Sequence, residues 1–192
     1  MPTPAVEDYL KAIYLLSVEG ERVSNSAIAE RLGIAAASVT EMLKRLGEAG
    51  LVEHVPYRGV TLTAAGAETA VRMIRRHRVL ESFLVEQLGY TWDQVHEEAE
   101  RLEHAASDEL IDRMAQVLGE PREDPHGHPI PARGRAFLEE PLPTLAELDA
   151  GRRAVLRRVS DEDPALLRYL AELNLRPGVT IELIDRAPFG GP

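Results

Sequence analysis

Residues 23–63 read VSNSAIAERLGIAAASVTEMLKRLGEAGLVEHVPYRGVTLT, and their reading decides the fold of the first third of the chain. The stretch opens on Ser24, Asn25 and Ser26, whose side chains cap helix N-termini, then carries Ile28 and Leu32 at helical spacing as far as Gly33. Glycine suits the left-handed turn that closes a helix. A second amphipathic segment runs from about Ala37 to Ala49 and is closed by Gly50. Two short helices joined by a glycine turn predict a helix-turn-helix. LVEHV and VTLT then flank PYRG, and β-branched residues alternating on either side of Pro56 and Gly59 predict a two-stranded hairpin, the wing of a winged helix.

Upstream, Val6, Tyr9, Leu10, Ile13 and Leu16 recur at helical spacing and predict a helix from Val6 to Ser17, stopped by Gly20. Downstream, Thr63 offers a cap and Ala70–Gln87 reads as a helix that leaves the first domain. Thr91 caps a long helix reaching about Ala106, and another spans Asp108 to Leu118. Prolines 121, 125, 129, 131, 141 and 143 then predict a linker or loop, apart from a short turn near Ala136 to Leu138. The tail reads as a strand (Arg153–Val159), a short helix (Pro164–Leu173) and a strand (Thr180–Asp185). Two strands this short make a poor independent fold, so an incomplete or flexible β domain is expected. The fold class is mainly α, with a winged helix over 1–71, a helical domain over 72–140 and the start of a small β domain over 141–192.

The chain has 192 residues, a net charge of -10 and 44% hydrophobic residues, enough apolar material for a packed core. It has no cysteine, which excludes disulfides, thiolate nucleophiles and thiolate metal sites and fits a reducing cytoplasm. Glu7, Asp8 and Lys11 stand where a signal peptide needs an apolar core, and no apolar run approaches the length of a membrane span. A cytoplasmic protein without membrane association is expected. An acidic chain does not coat nucleic acid unaided, since phosphate neutralisation drives such binding, and residues 1–66 carry eight acidic against six basic side chains. DNA contact therefore falls to a focused face. Ala35, Ala36, Ala37 and Ser38 allow close approach to base edges, Thr40, Glu41, Lys44 and Arg45 follow on the same helix, and Tyr57 and Arg58 tip the wing. A winged helix that binds protein is the alternative.

The densest chemical signal is HEEAERLEH, residues 96–104. His96, Glu100, Glu103 and His104 fall at i, i+4, i+7 and i+8, one stripe of a helix made of metal-ligand types. A solvated polar face is the plainer explanation, and one helix rarely completes a metal shell, so other segments must contribute. His77 and Glu81, at i and i+4 on the preceding helix, project together and would meet His96 under antiparallel packing; a surface ion pair among Arg75, Arg76 and Arg78 is the alternative. Asp8 is a third candidate. His126 and His128 have chelating spacing, but in their proline-rich setting a linker role is expected.

VEDYLKAIY, SVTEMLKRL, YRGVTLTAAG, RRHRVLESFL, HEEAERLEH and HGHPIP follow one another in an order that resembles the diphtheria toxin repressor and manganese transport regulator family of metal-dependent repressors. The likeness spans about residues 5–135, and the tail resembles the start of the family's SH3-like domain. The resemblance implies a homodimeric repressor, not an enzyme, that binds a palindromic double-stranded operator and controls metal uptake genes. It implies a principal metal site of Asp8, Glu100, Glu103 and His104, and a second site of His77, Glu81, His96 and a C-terminal carboxylate, with Asp163 as nearest match and Glu162 as rival. In the family's iron-responsive branch, methionine and cysteine stand at the positions of Asp8 and Glu100. Two carboxylates are the manganese-type choice, so Mn(II) is the expected corepressor, Fe(II) the alternative, and Zn(II), Cd(II) or Co(II) substitutes in vitro. Manganese regulators usually carry glutamate where this chain has Lys11, so two separated sites are expected in place of a binuclear cluster. Two other readings stay open. A winged-helix regulator with an organic effector shares the DNA-binding half, whereas a helical metalloenzyme fits poorly, because His-x-x-x-Glu-x-x-Glu-His matches neither paired Glu-x-x-His nor the zinc-protease motifs.

Overall fold

The computed structural model describes residues 2–17, 21–55, 58–135, 137 and 139–185. The chain divides into two units, one of Met1–His77, Glu103–Ala106 and Pro131–Phe137, the other of Arg78–Leu102, Ser107–Ile130 and Leu138–Pro192.

In the first unit, α1 (Pro4–Leu16) begins with proline at its first turn, where the missing N–H costs nothing. Ser24 Oγ caps α2 (Asn25–Leu32) by accepting the Ala27 N–H at 3.1 Å, and Gly33 closes it in the left-handed conformation at φ 64°. Helix α3 (Ala36–Glu48) buries Val39, Leu43 and Leu46 against Leu10, Ile13 and Ile28. Truncating Leu43, which has no exposed surface, to alanine would cost about 2–5 kcal/mol. Strands β1 (Val52–Val55) and β2 (Gly59–Leu62) pair antiparallel with Val52 opposite Leu62, and Val23 bridges to Val60 on the far side of β2. That third line of backbone explains Gly59, where a Cβ would sit 2.5 Å from the Val23 carbonyl oxygen. The winged helix-turn-helix expected from residues 23–63 is therefore present.

Helix α4 (Ala64–Leu88) starts directly after Thr63, the cap expected for it: the hydroxyl accepts the Gly66 N–H and donates to the Gly50 carbonyl. The long helix expected from Thr91 to about Ala106 is shorter. Residues 91–94 form a turn with Trp92 buried, and α5 is confined to Val95–Glu103. Ser107 caps α6 (Asp108–Val117).

In the second unit the proline-rich stretch lacks regular structure, as expected, but it is not a loose linker. Asp124 Oδ1 accepts the N–H groups of His126 and His128 at 2.8 and 2.9 Å, Glu123 bridges to Pro129, and the Val159 N–H donates to the His126 carbonyl at 3.1 Å. Gly127, at φ 88°, lies so close to the segment at Arg157 that a Cβ would come within 2.0 Å of its carbonyl oxygen. The expected turn at Ala136 and Leu138 falls outside the described residues. Strands β3 (Arg153–Val155) and β4 (Thr180–Glu182) pair antiparallel and are shorter than expected, and α7 (Pro164–Glu172) packs Leu167 with Trp92 and Val159. Among the described residues no helix is long and apolar enough to cross a membrane.

Candidate metal centres and nucleic-acid interface

Three ligand types converge in the first unit. Asp8 comes from α1, Glu103 is the last residue of α5 and His104 follows it, and one ligand atom from each lies within 4.8 Å of the others. His104 Nε2 is 3.0 Å from Asp8 Oδ1 and 3.9 Å from Glu103 Oε1. Two carboxylates and an imidazole within reach of one another form an oxygen and nitrogen donor set of the kind that fits a divalent ion. Glu103 is 1% exposed and strongly held: Lys11 Nζ donates to both its oxygens at 2.9 Å, and His77 Nδ1 is 2.6 Å from Oε2. Burial alone would raise its carboxyl pKa, but His77 and Lys11 outweigh that and hold it below the usual carboxylate range. Buried Arg76 also donates to the Glu103 carbonyl at 3.3 Å, satisfying a backbone group at the end of α5.

Asp8, Glu103 and His104 are thus brought together as expected. Glu100, one turn earlier, is exposed, and its carboxylate is 3.8 Å from His96 Nε2 on its own helix. Two residues that were given no part in the site by pattern reading matter here. Glu7 is buried and its Oε2 is 2.8 Å from His104 Nδ1, while the ammonium of Lys11, left without a role, neutralises Glu103.

A second acidic cluster lies in the second unit around Glu81 of α4, which is completely buried. Glu81 Oε1 is 3.3 Å from His96 Nδ1, Oε2 is 3.6 Å from His126 Nδ1, and Asp161 Oδ2 is 3.6 Å from His96 Nδ1. The pairing of Glu81 with His96 follows the expectation. The C-terminal carboxylate is a correction: Asp163 accepts the N–H groups of Ala165 and Leu166 as the cap of α7, and Asp161, two residues earlier, faces the histidine instead. Asp before Pro at a helix start is a capping signature, so the sequence held the signal for the capping role of Asp163.

His126 and His128 also depart from a linker role. His126 has no exposed surface; its Nε2 lies 2.7 Å from the Trp92 carbonyl, which only accepts, so Nε2 carries the proton and Nδ1 is turned toward Glu81. Glu81, Asp124 and His126 form a further group with ligand atoms within 4.8 Å, and Asp124 Oδ2, His126 Nδ1 and His128 Nδ1 are buried without a hydrogen-bond partner. Orphaned buried donors of this kind fit a cation. Burial lowers the His96 and His126 pKa values, but neighbouring charge more than reverses it: Asp161 and Glu81 raise His96 to about 10, and Glu81 with the Trp92 carbonyl and Asp124 raises His126 to about 9.

On the other face of α3, Ala35, Ala36, Ala37, Ser38, Thr40, Glu41, Lys44 and Arg45 are all exposed, as is Arg58 on the wing. Thr40 accepts from Asn25 Nδ2 and donates to the Ala36 carbonyl, bracing α2 against α3. Tyr57 lies outside the described residues.

Family models agree with this division of labour. "Iron dependent repressor, N-terminal DNA binding domain" matches residues 1–60, "Iron dependent repressor, metal binding and dimerisation domain" residues 63–132, and "FeoA domain" residues 144–192. The chain is 32% identical over 197 residues to the iron-dependent repressor IdeR of Mycobacterium tuberculosis (strain ATCC 25618 / H37Rv), covering 96% of this chain and 85% of that one. The chain belongs to the iron-dependent repressor family. Within that family it is also 37% identical over 125 residues to the HTH-type transcriptional regulator MntR of Lysinibacillus sphaericus (strain C3-41), covering 65% of this chain and 89% of the relative. Among solved structures, a manganese-dependent transcriptional repressor in complex with manganese matches this family member with TM-score 0.88 and 42% identity, over 97% of this chain and 86% of that one.

Proposed function

We propose that the chain is a metal-dependent transcriptional repressor of metal-ion homeostasis that acts in the cytoplasm as a homodimer on a palindromic operator, with Mn(II) as corepressor. The observation that carries this reading is the convergence of Asp8, Glu103 and His104, because Asp8 belongs to α1 of the winged-helix unit itself. Glu100 is the proposed fourth ligand. When bound, a divalent ion would supply a positive centre shared by both carboxylates. Asp8 thereby anchors α1, whose Leu10 and Ile13 pack in the same core as Val39 and Leu43 of α3. Restraining α1 restrains the recognition helix, and a dimer must present two such helices one helical turn, about 34–36 Å, apart to use both half-sites. A few kcal/mol favouring that arrangement is enough to switch the population.

Carboxylate and imidazole ligands without sulfur favour Mn(II) over softer ions, with Fe(II) as the alternative and Zn(II), Cd(II) and Co(II) as in vitro substitutes. The proposed second site uses Glu81, His96 and Asp161, with His77 one turn before Glu81 on α4; His126 and Asp124 extend it. Lys11 supplies a fixed positive charge to Glu103, which supports a single exchangeable ion in the principal site.

The test is fluorescence anisotropy on a palindromic promoter fragment, in EDTA and then in Mn(II), Fe(II) and Zn(II), at one ionic strength. Specific binding is expected only with divalent metal, strongest with Mn(II), and lost when Glu103 and His104 are both replaced by alanine. Binding indifferent to metal, or unchanged in the double variant, would overturn the proposal.

A further inference from the structure

Glu7 and Asp8 are consecutive residues of α1, yet both carboxylates reach the same imidazole. Glu7 Oε2 lies 2.8 Å from His104 Nδ1, and Asp8 Oδ1 lies 3.0 Å from Nε2. The two acids differ in setting. Glu7 is 7% exposed as a residue, whereas the Asp8 side chain is 44% exposed. A buried carboxylate is costly unless something uses its charge, and the partner found for Glu7 is the ring nitrogen turned away from the other ligands.

A neutral imidazole carries one proton, and the nitrogen that holds it cannot ligate. Both carboxylates only accept, but only Glu7 lies on the Nδ1 side; with an ion held by Asp8 and Glu103 taking the Nε2 lone pair, the ring proton would stay on Nδ1, where Glu7 accepts it. We infer that Glu7 is a positioning residue for the principal metal site, fixing both the tautomer and the orientation of His104 without touching the ion. This inference rests on the reading of Asp8, Glu103 and His104 as metal ligands. A carboxylate behind a ligating histidine raises its basicity and narrows its orientation, and removing such a partner lowers metal affinity by roughly 10–100-fold.

The experiment uses the full chain with Zn(II) as a diamagnetic probe. Zinc affinity is measured by competition with a chelating dye for the wild type, Glu7→Gln, Glu7→Leu and His104→Ala, and long-range proton–nitrogen correlation spectra identify the tautomer of each histidine. The His104→Ala spectrum assigns the His104 signals, and melting in EDTA compares the metal-free folds. The expected order of affinity at this site is wild type, then Glu7→Gln, whose amide oxygen can still accept the Nδ1 proton, then Glu7→Leu with a 10–100-fold loss. The wild-type His104 ring should show a proton on Nδ1 and zinc on Nε2. Wild-type affinity in both Glu7 variants, or zinc on Nδ1, overturns the inference; if Glu7→Leu does not fold, Glu7→Gln and the wild-type tautomer decide. Should His104→Ala bind zinc as the wild type does, the site itself has been misread. Loss in His104→Ala beside unchanged Glu7 variants rejects the role of Glu7 alone.

Discussion

In the first cluster the Asp8 side chain is 44% exposed, whereas in the second His96 and Asp161 reach only 20% and 19% and the side chains of Glu81, Asp124 and His126 have no exposed surface. The compensating charges differ as well. Glu103 is neutralised by the ammonium of Lys11, while Glu81 and Asp161 are faced by the imidazoles His96 and His126. An open site whose buried member is already charge-balanced is suited to exchange an ion with solvent. A closed site whose cations are titratable rings is suited to hold the proline-rich loop and the C-terminal segment in place, by protons or by a metal.

The sharpest way to break this comparison is to remove the buried acid of the open cluster. Glu103→Ala removes the carboxylate that Lys11, 12% exposed, and His77 both face, and breaking a buried ion pair from one side costs about 3–5 kcal/mol. Urea denaturation in EDTA checks this; a loss under about 1 kcal/mol would mean that Lys11 does not depend on Glu103.

A somewhat smaller effect is expected in the closed cluster. His126→Ala removes the bond to the Trp92 carbonyl and the stack on the Trp92 ring at 5.9 Å, together worth about 2–3 kcal/mol. Trp92 is the single tryptophan of the chain, so its emission reports on this unit. His126→Ala should shift that emission to the red in the native state, and a variant of Asp8 should leave it unchanged. Equal shifts in both would erase the distinction between the clusters.

A further expected change is a dependence on pH. His96 and His126 have folded pKa values raised above the ordinary 6.5, to about 10 and about 9. Their contribution to stability is therefore complete below pH 6.5 and is lost as pH rises through 9 and 10. Denaturation midpoints in EDTA should fall over that interval, and filling the second cluster with metal near pH 7 should release protons, seen as a buffer-dependent calorimetric heat. A flat alkaline profile would show that the two rings do not carry the charge of this cluster.

These contrasts were unevenly legible in the sequence. The winged helix could be read because each local signal there agrees with the tertiary packing: Ser24 caps, Gly33 turns, and Val39, Leu43 and Leu46 face the core. Glu103 and His104 were also legible, since helical periodicity and family resemblance both marked them, whereas the role of Asp8 came from the resemblance. The closed cluster was obscured because prolines and glycines around His126 signal an absence of helix, which is correct, but say nothing of burial. Asp124 folds that loop through two backbone N–H groups, a long-range fit that composition does not report. Asp161 was missed for a local reason, as Asp163 sat closer to the expected position while its side chain was committed to the start of α7. Glu7 was hidden by its neighbour, because the resemblance implies the ligand role for Asp8 and is silent on which acid is buried.

The fastening of Glu103 has one more consequence, and it concerns entropy. Its carbonyl is held by Arg76 and its two carboxylate oxygens by Lys11 and His77, so neither the last turn of α5 nor the side chain is free to sample other rotamers. Immobilising a glutamate side chain costs about 1.5–2 kcal/mol, and here that ordering is accomplished when the chain folds. An arriving ion finds one ligand already stationary, while the exposed Asp8 keeps its freedom until the moment of capture.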